Sequence, residues 1–486
     1  MSATAVRSGA ADRTWILAAT ILASSMAFID SSVVTIALPA MQRSLGATIA
    51  DMQWVSNAYM LFLGSLILVG GGLGDRVGRR LIFLIGIAVF ALSSILCAAA
   101  PTVEVLILAR MVQGIGAALL VPQSLAIISA TYPKEVRGRA IGTWAAASSI
   151  TTSLGPPLGG FLVDLLSWRV VFWINVPIAA LALWLTFLHV PENKDEGAKG
   201  PIDWVGAAIA MVAFGALTYG LTAISDEAIS RTVIVAAIGL GLVGIALFVY
   251  VEGRAANPIM PPELFRLPVF TGTNIVTLFL YGALAGMLFL LPFDLQSRRG
   301  VTASEAGLTL LPIGIVIGVL SRQTGSLADR WGPRPFLVVG PILVGLCAVG
   351  LALNLSSYWL GVVIPVILFA LGMAIVVSPL TTAVMNSVPD TRSGAASGVN
   401  NAASRIAGVL AVAVFGAAAS LVFAWSDGGG RFGVLPPPGD PSRPALESAF
   451  LIAYSTAMAL AAIWCFIAAF AAFYALPAKP VEKAPA

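Results

Sequence analysis

Fourteen stretches of this chain are each long and apolar enough to cross a lipid bilayer, at 15–39, 52–73, 81–100, 103–128, 138–163, 169–190, 202–223, 231–251, 268–292, 304–326, 335–355, 358–383, 394–424 and 448–475. A hydrocarbon core about 30 Å thick needs about 20 helical residues per crossing, so little chain is left for anything else. Of the 486 residues, 58% are hydrophobic and only 10% charged, whereas an ordinary soluble domain has about a quarter charged. A soluble globular fold is excluded. Each crossing must be helical, because an amide in hydrocarbon has no water to bond and only a helix satisfies its groups within one segment. The first run follows Arg7 and Arg13 as a signal peptide would, but it is too long for one and more runs follow. The chain therefore reads as an all-α integral membrane protein with 14 transmembrane helices.

Charge tests the number of crossings, since Lys and Arg collect on the cytoplasmic side of short loops. With the N-terminus inside, most of the 27 basic residues fall on the inner side, including Arg76, Arg79, Arg80, Lys134, Arg137, Arg139, Arg330 and Arg334. The outer side receives Arg43, Arg169, Arg231, Arg298, Arg299, Arg431 and Arg443. Both termini are accordingly expected in the cytoplasm, with the protein multi-pass in the cell (inner) membrane. A net charge of +4 on so long a chain is too small an excess to indicate a nucleic-acid partner. Cys97, Cys347 and Cys465 stand in separate apolar runs without metal-ligand spacing, so they read as small apolar fillers and no metal is expected.

One motif occurs twice. Residues 71–80 read GGLGDRVGRR and residues 325–334 read GSLADRWGPR, both of the form G-x-L-x-D-R-x-G-x-R. The copies follow spans 2 and 10, so a six-helix unit recurs after eight spans in the same orientation. The arithmetic predicts two parallel six-helix repeats with two inserted central helices. The expected units are an N-terminal bundle over 1–190, a cytoplasmic link with two inserted helices over 191–267, and a C-terminal bundle over 268–486 with a long external loop at 425–448. Transporters built from such repeats place substrate near the midplane between them.

Ionisable groups inside the hydrocarbon are costly and mark function by default. Asp30 is the sixteenth residue of span 1, roughly 22 Å from the inner end at 1.5 Å per residue. Arg110 is seven residues into span 4, which enters from outside, so it lies about 10 Å below the outer surface. Their depths agree. A guanidinium favours the charged carboxylate and burial without it favours the neutral acid, so Asp30 can exchange a proton if its pairing changes with conformation. Arg110 would control that exchange; the plainer readings are a static ion pair or a carboxylate snorkelling into an aqueous vestibule. Arg405, eleven residues into span 13, is a further buried charge or the start of a helix still in the cytoplasm. Asp294, near the outer end of span 9, is either solvated at the interface or a contact for a cationic ligand.

The loop around Gly71, Asp75, Arg76, Gly78 and Arg79, with its second copy at Asp329 and Arg330, suits a breakable latch: glycines allow close helix approach and Asp75 can meet a helix N-terminus. In span 5, SLGPPLGG over 153–160 removes donors and bulk together. Gly155, Pro156 and Gly159 are expected to form a bend and a tight seam that serves as a hinge.

Taken together these motifs resemble the major facilitator superfamily, and within it the fourteen-helix drug/proton antiporters. GGLGDRVGRR looks like the superfamily's signature between helices 2 and 3. LILARMVQGIGAALLVP, with Arg110, Gln113, Gly114 and Gly116, resembles the proton-associated motif of helix 4. SLGPPLGGFL is similar to the antiporter motif of helix 5, and FIDSSVVTIALPAM, carrying Asp30, to the helix 1 motif of the fourteen-helix group. The resemblance implies two six-helix bundles plus two extra helices, alternating access, and proton-coupled export of hydrophobic or cationic drugs. Protons would be the coupling ion, with no other cofactor, and Gln113, Asp294 and Arg405 are candidates for substrate contact. The second latch departs from the first, with Pro333 where the first has Arg79.

The rival within this class exports one endogenous lipid or secondary metabolite by the same mechanism. An enzyme would need a polar catalytic cluster, and the sequence offers one histidine, no metal-spaced set and no phosphate loop. A channel would call for a polar pore ring.

Overall fold

The computed structural model describes residues 10–194, 203–225, 229–255, 258, 260–389, 393–426 and 431–477. Fifteen α-helices account for most of them. The first group comprises α1 (Ala10–Leu45), α2 (Ile49–Val77), α3 (Arg79–Ala99), α4 (Val103–Thr131), α5 (Lys134–Leu165), α6 (Val170–Trp173) and α7 (Asn175–His189). Then come α8 (Trp204–Thr222) and α9 (Arg231–Glu252). The second group is α10 (Pro268–Phe293), α11 (Ala303–Trp331), α12 (Arg334–Ala352), α13 (Ile364–Asn386), α14 (Ser393–Trp425) and α15 (Arg443–Ala475). Among the described residues 13 helical segments are long and apolar enough to cross a membrane.

The remaining expected span, α5, is less apolar because of its hydroxyl run and its glycines and prolines. Its hydroxyls are satisfied within the helix: Ser148, Thr151, Thr152 and Ser153 each donate to the carbonyl four residues back. That back-bonding is how a polar stretch is tolerated in hydrocarbon. Three details differ from the sequence reading. Span 6 is divided at Ile174 into α6 and α7. Span 9 continues past Phe293 into a π-helical turn, Asp294–Arg298. The loop expected at 425–448 is shorter, since α14 runs to Trp425 and α15 begins at Arg443 with Pro444 in its first turn, where a missing N–H costs nothing.

Each group packs within itself, and one seam between them is as dense as those within. In the first, α4 lies against α2 and α3, and α1 against α5 and α7; in the second, α10 lies against α14 and α15, and α13 against α11 and α12. The groups meet along α5–α11 and α2–α14. At the first seam side chains are missing on both sides: a Cβ on Gly307 would meet the Pro156 carbonyl oxygen at 2.2 Å, and one on Gly160 would meet the Ala303 carbonyl oxygen at 2.2 Å. Helices this close are held by dispersion between backbones, as small residues allow in membranes.

Hydrogen bonds joining the two groups cluster in the half of the molecule containing the α1–α2 and α5–α6 turns. Asp164 accepts from the amides of Ala303 and Ser304 at 3.1 and 2.7 Å, so its carboxylate sits on the positive N-terminus of α11. Gln296 donates to the Ile36 carbonyl, Gln42 to that of Phe432 and Gln53 to that of Val412. The connection before α15 is irregular but not loose: Phe432 is buried and stacks 4.8 Å from Phe450. Towards the other end α5 and α11 part, and Gly138, Gly142 and Gly318 face open space. The α5–α11 seam is therefore shut at one end and parted at the other.

Candidate functional site

Asp30 of α1 is fully buried, with 0% exposure, and side chains of α4 and α7 bond to it, backed by α2 and α3. Arg110 of α4 donates through Nη1 to its Oδ2. Gln113, one turn on, donates to Oδ1 at 2.9 Å, and Asn175, the first residue of α7, donates to the same oxygen at 3.1 Å. Ser94 of α3 accepts from both amides, at 2.8 and 3.3 Å. Arg110 also donates through Nε to the Val55 carbonyl at 3.0 Å, and its guanidinium lies 4.3 Å from the centroid of the Tyr59 ring. A buried ion pair is stable only when its remaining hydrogen-bonding capacity is met, and here neutral amides meet it. The pair is therefore a local assembly of the first group and does not bridge to the second.

Beside it lies a cavity of about 370 Å³ between the groups. Arg110 and Tyr59 form part of its wall, together with Asn57, Leu288, Phe289 and Arg405. Asp30 lies behind Arg110, off the cavity surface. A second space of about 300 Å³ adjoins it along α5 and α11 and shares Ser32, Thr35, Thr152 and Leu288. A mostly apolar, largely preformed concavity with a few polar groups is the usual form of a small-molecule site.

This geometry, a central cavity between two helical groups, agrees with what sequence comparison finds: the Major Facilitator Superfamily profile matches residues 20–412. The chain belongs to the major facilitator superfamily. Relatives of this superfamily member include the Multidrug resistance protein Stp of Mycobacterium tuberculosis, 37% identical over 415 residues, which cover 84% of this chain and 76% of Stp. The Tetracenomycin C resistance and export protein of Streptomyces glaucescens is 30% identical over 98% of this chain and 94% of its own. In fold, a bacterial homolog of the human lysosomal transporter Spinster, solved inward-facing and unoccupied, matches with a TM-score of 0.71 over 96% of this chain and 97% of that one, at 19% identity. The relatives are major facilitator transporters named for drug and antibiotic resistance, which places the chain among transporters rather than enzymes.

The superfamily loop at 71–80 is built differently from its sequence reading. Asp75 does not cap a helix; it pairs with Arg79 one turn on, at 2.7 Å. Glu192, from the link after α7, takes the N-terminus of α3 instead, accepting from the amides of Arg80 and Leu81 at 3.1 and 3.2 Å. Gly71 and Gly70 offer carbonyls to Gln123 of α4, at 3.4 and 2.8 Å. Gly78 takes a φ of 138° between α2 and α3, a conformation a side chain would strain. In the second copy, Asp329 borders a small hollow with Pro333 and Pro379, and Arg330 is in the last turn of α11.

Gly155, Pro156 and Gly159 lie in a helix that continues unbroken through both prolines. They form contacts on two sides, Gly155 and Gly159 against Ser32 and Val33 of α1, and Pro156 against Gly307 of α11. Of the three candidates for substrate contact, Arg405 lines the cavity. Gln113 does not, being buried in the Asp30 cluster. Asp294 does not either: its two oxygens accept from Nε of Arg298 and of Arg299, at 2.5 and 2.9 Å, and it is 1% exposed. Asp294 is thus held in a local ion triad with the arginines at i+4 and i+5. Asn175 and Ser94 escaped notice because neutral amides and hydroxyls in apolar runs do not stand out as charges do.

Proposed function

We propose that the chain is a proton-coupled antiporter that exports apolar small molecules across the cytoplasmic membrane by alternating access. The observation that carries the reading is Arg110, which lines the central cavity on one side and holds the buried Asp30 on the other. Protonation of Asp30 would cancel the counter-charge that holds Arg110 and free its guanidinium to enter the cavity and displace an apolar substrate, whereas loss of the proton restores the pair and clears the space. Loss of substrate and gain of a proton are thereby coupled through one side chain. The relatives' names, multidrug, methylenomycin A and tetracenomycin C resistance, support export and a small-molecule cargo.

Alternating access is supported by an α5–α11 seam that is closed by bonds at one end and parted at the other. The corresponding packing of α10–α15 and α1–α7 supports two six-helix repeats, with α8 and α9 as the insertion. The excess of basic residues at the open end supports placing that end, and both termini, in the cytoplasm. On this reading the 71–80 and 325–334 loops engage when that end closes, and the α5 seam, with Gly155, Pro156 and Gly159, is where the groups rock.

Purified protein in liposomes under an imposed pH gradient tests the proposal. The wild type should move a neutral apolar dye or a relative's antibiotic against its gradient when protons run the other way, and Asp30→Asn should abolish the proton dependence while leaving substrate binding in place. Wild-type rates of gradient-driven transport by Asp30→Asn would overturn the assignment.

A further inference from the structure

We propose that the central cavity selects amphiphilic organic anions, molecules with an apolar body and a carboxylate or similar oxyanion; this deepens the exporter reading and rests on it for the direction of movement. No acidic side chain is among the residues lining the cavity, while Arg110 and Arg405 both are. The acids that might have balanced them are spent elsewhere. Asp30 is held behind Arg110 by three donors, and Asp294 is taken by Arg298 and Arg299.

Arg405 differs from Arg110 in having no counter-charge: among the described residues it makes no ion pair, and its buried Nε has no hydrogen-bond partner. Asn57, on the facing group, also lines the cavity, and its buried Nδ2 likewise has no acceptor. Buried donors without acceptors are rare and costly. Two of them, from α2 and α14, border one cavity, and together they match an oxyanion that one side would hold by charge and the other by an amide. The rest of the wall, with Met60, Tyr281, Leu284, Leu288 and Phe289, suits an apolar body. Charge of one sign in a low-dielectric cleft discriminates strongly between otherwise equal ligands. A cationic drug would instead bring a second positive charge to an unpaired guanidinium.

Three probes of one size separate the possibilities: 1-pyrenebutyrate, 1-pyrenebutanol and 1-pyrenebutyl-trimethylammonium. Their binding is measured by fluorescence at about pH 7.5 with protein in phosphatidylcholine nanodiscs, after subtraction of empty discs. The wild type should bind the carboxylate about tenfold or more tighter than the ammonium, the scale of one charged hydrogen bond. Arg405→Gln should erase that preference while changing pyrenebutanol affinity by less than about twofold, and Arg405→Lys should keep most of it. Equal or tighter wild-type binding of the ammonium, an equal loss of all three probes in Arg405→Gln, or no saturable carboxylate binding would each overturn the proposal. Flux in liposomes keeps the two readings apart. Carboxylate preference without pH-driven flux sinks the exporter and leaves the anion site standing, and pH-driven flux of the ammonium alone does the reverse.

Discussion

Gln113 ties the Asp30–Arg110 pair to the rest of its helix group, donating to Asp30 and Ser94 and accepting from Arg110. Gln113→Leu keeps the volume and removes these bonds together with a thiol contact from Cys97, leaving buried polar groups short of partners at about 1–3 kcal/mol each. Thermal unfolding of the purified protein should therefore shift down by several degrees, and Asn175→Ala should produce a smaller shift in the same direction. An unchanged melting temperature for Gln113→Leu would mean that the amide is not structural. At this scale the sequence revealed the charges and concealed their settings. Asp30 and Arg110 stand out because ionised groups are rare in apolar runs. Asn175, Glu192 and the arginines around Asp294 act through positions that only the folded chain brings together, or through local spacing that did not look chemical.

The α5–α11 seam depends on absent side chains, and its strength can be changed one atom at a time. Gly307→Val would place Cβ where the Pro156 carbonyl oxygen now lies within 2.2 Å, so the helices must separate. Asp164→Asn removes the charge from the α11 N-terminus but keeps the shape, at about 0.3–2 kcal/mol. Both variants should populate the form opened at that end. A cysteine introduced at Leu288, on the cavity wall, should then react faster with a membrane-impermeant maleimide added from the α5–α6 side, more so for Gly307→Val. Equal rates in wild type and both variants would show that the seam does not hold the end shut. The glycine and proline pattern of α5 was legible as a close contact. Its second partner was not, because nothing in one helix's sequence says which neighbour lies across the interface.

The helical plan was largely open to reading from hydropathy alone, since hydrocarbon imposes one rule on every segment. What escaped were places where polarity is hidden by local bonding, as in α5, or where a run breaks within itself, as at Ile174. Sidedness makes a prediction for the whole molecule. Cys97, Cys347 and Cys465 are buried and give little background labelling. Asn193→Cys should be modified only from the cytoplasmic face of cells, and Ser442→Cys only from outside. The reverse pattern would invert the proposed orientation and with it the sense of transport.

One feature of the architecture has mechanical force. The hairpin of α8 and α9 lies on neither group alone, because α8 touches α2 on one side and α14 on the other. Its α2-facing contacts are slight, with Trp54 meeting Tyr219 at 6.5 Å and Gly215 beside Leu61. If the two groups rock as proposed, a body resting on both has to slip against at least one of them in every cycle. The hairpin is a runner on two rails, and welding it to both by crosslinks should stall the machine as surely as plugging its throat.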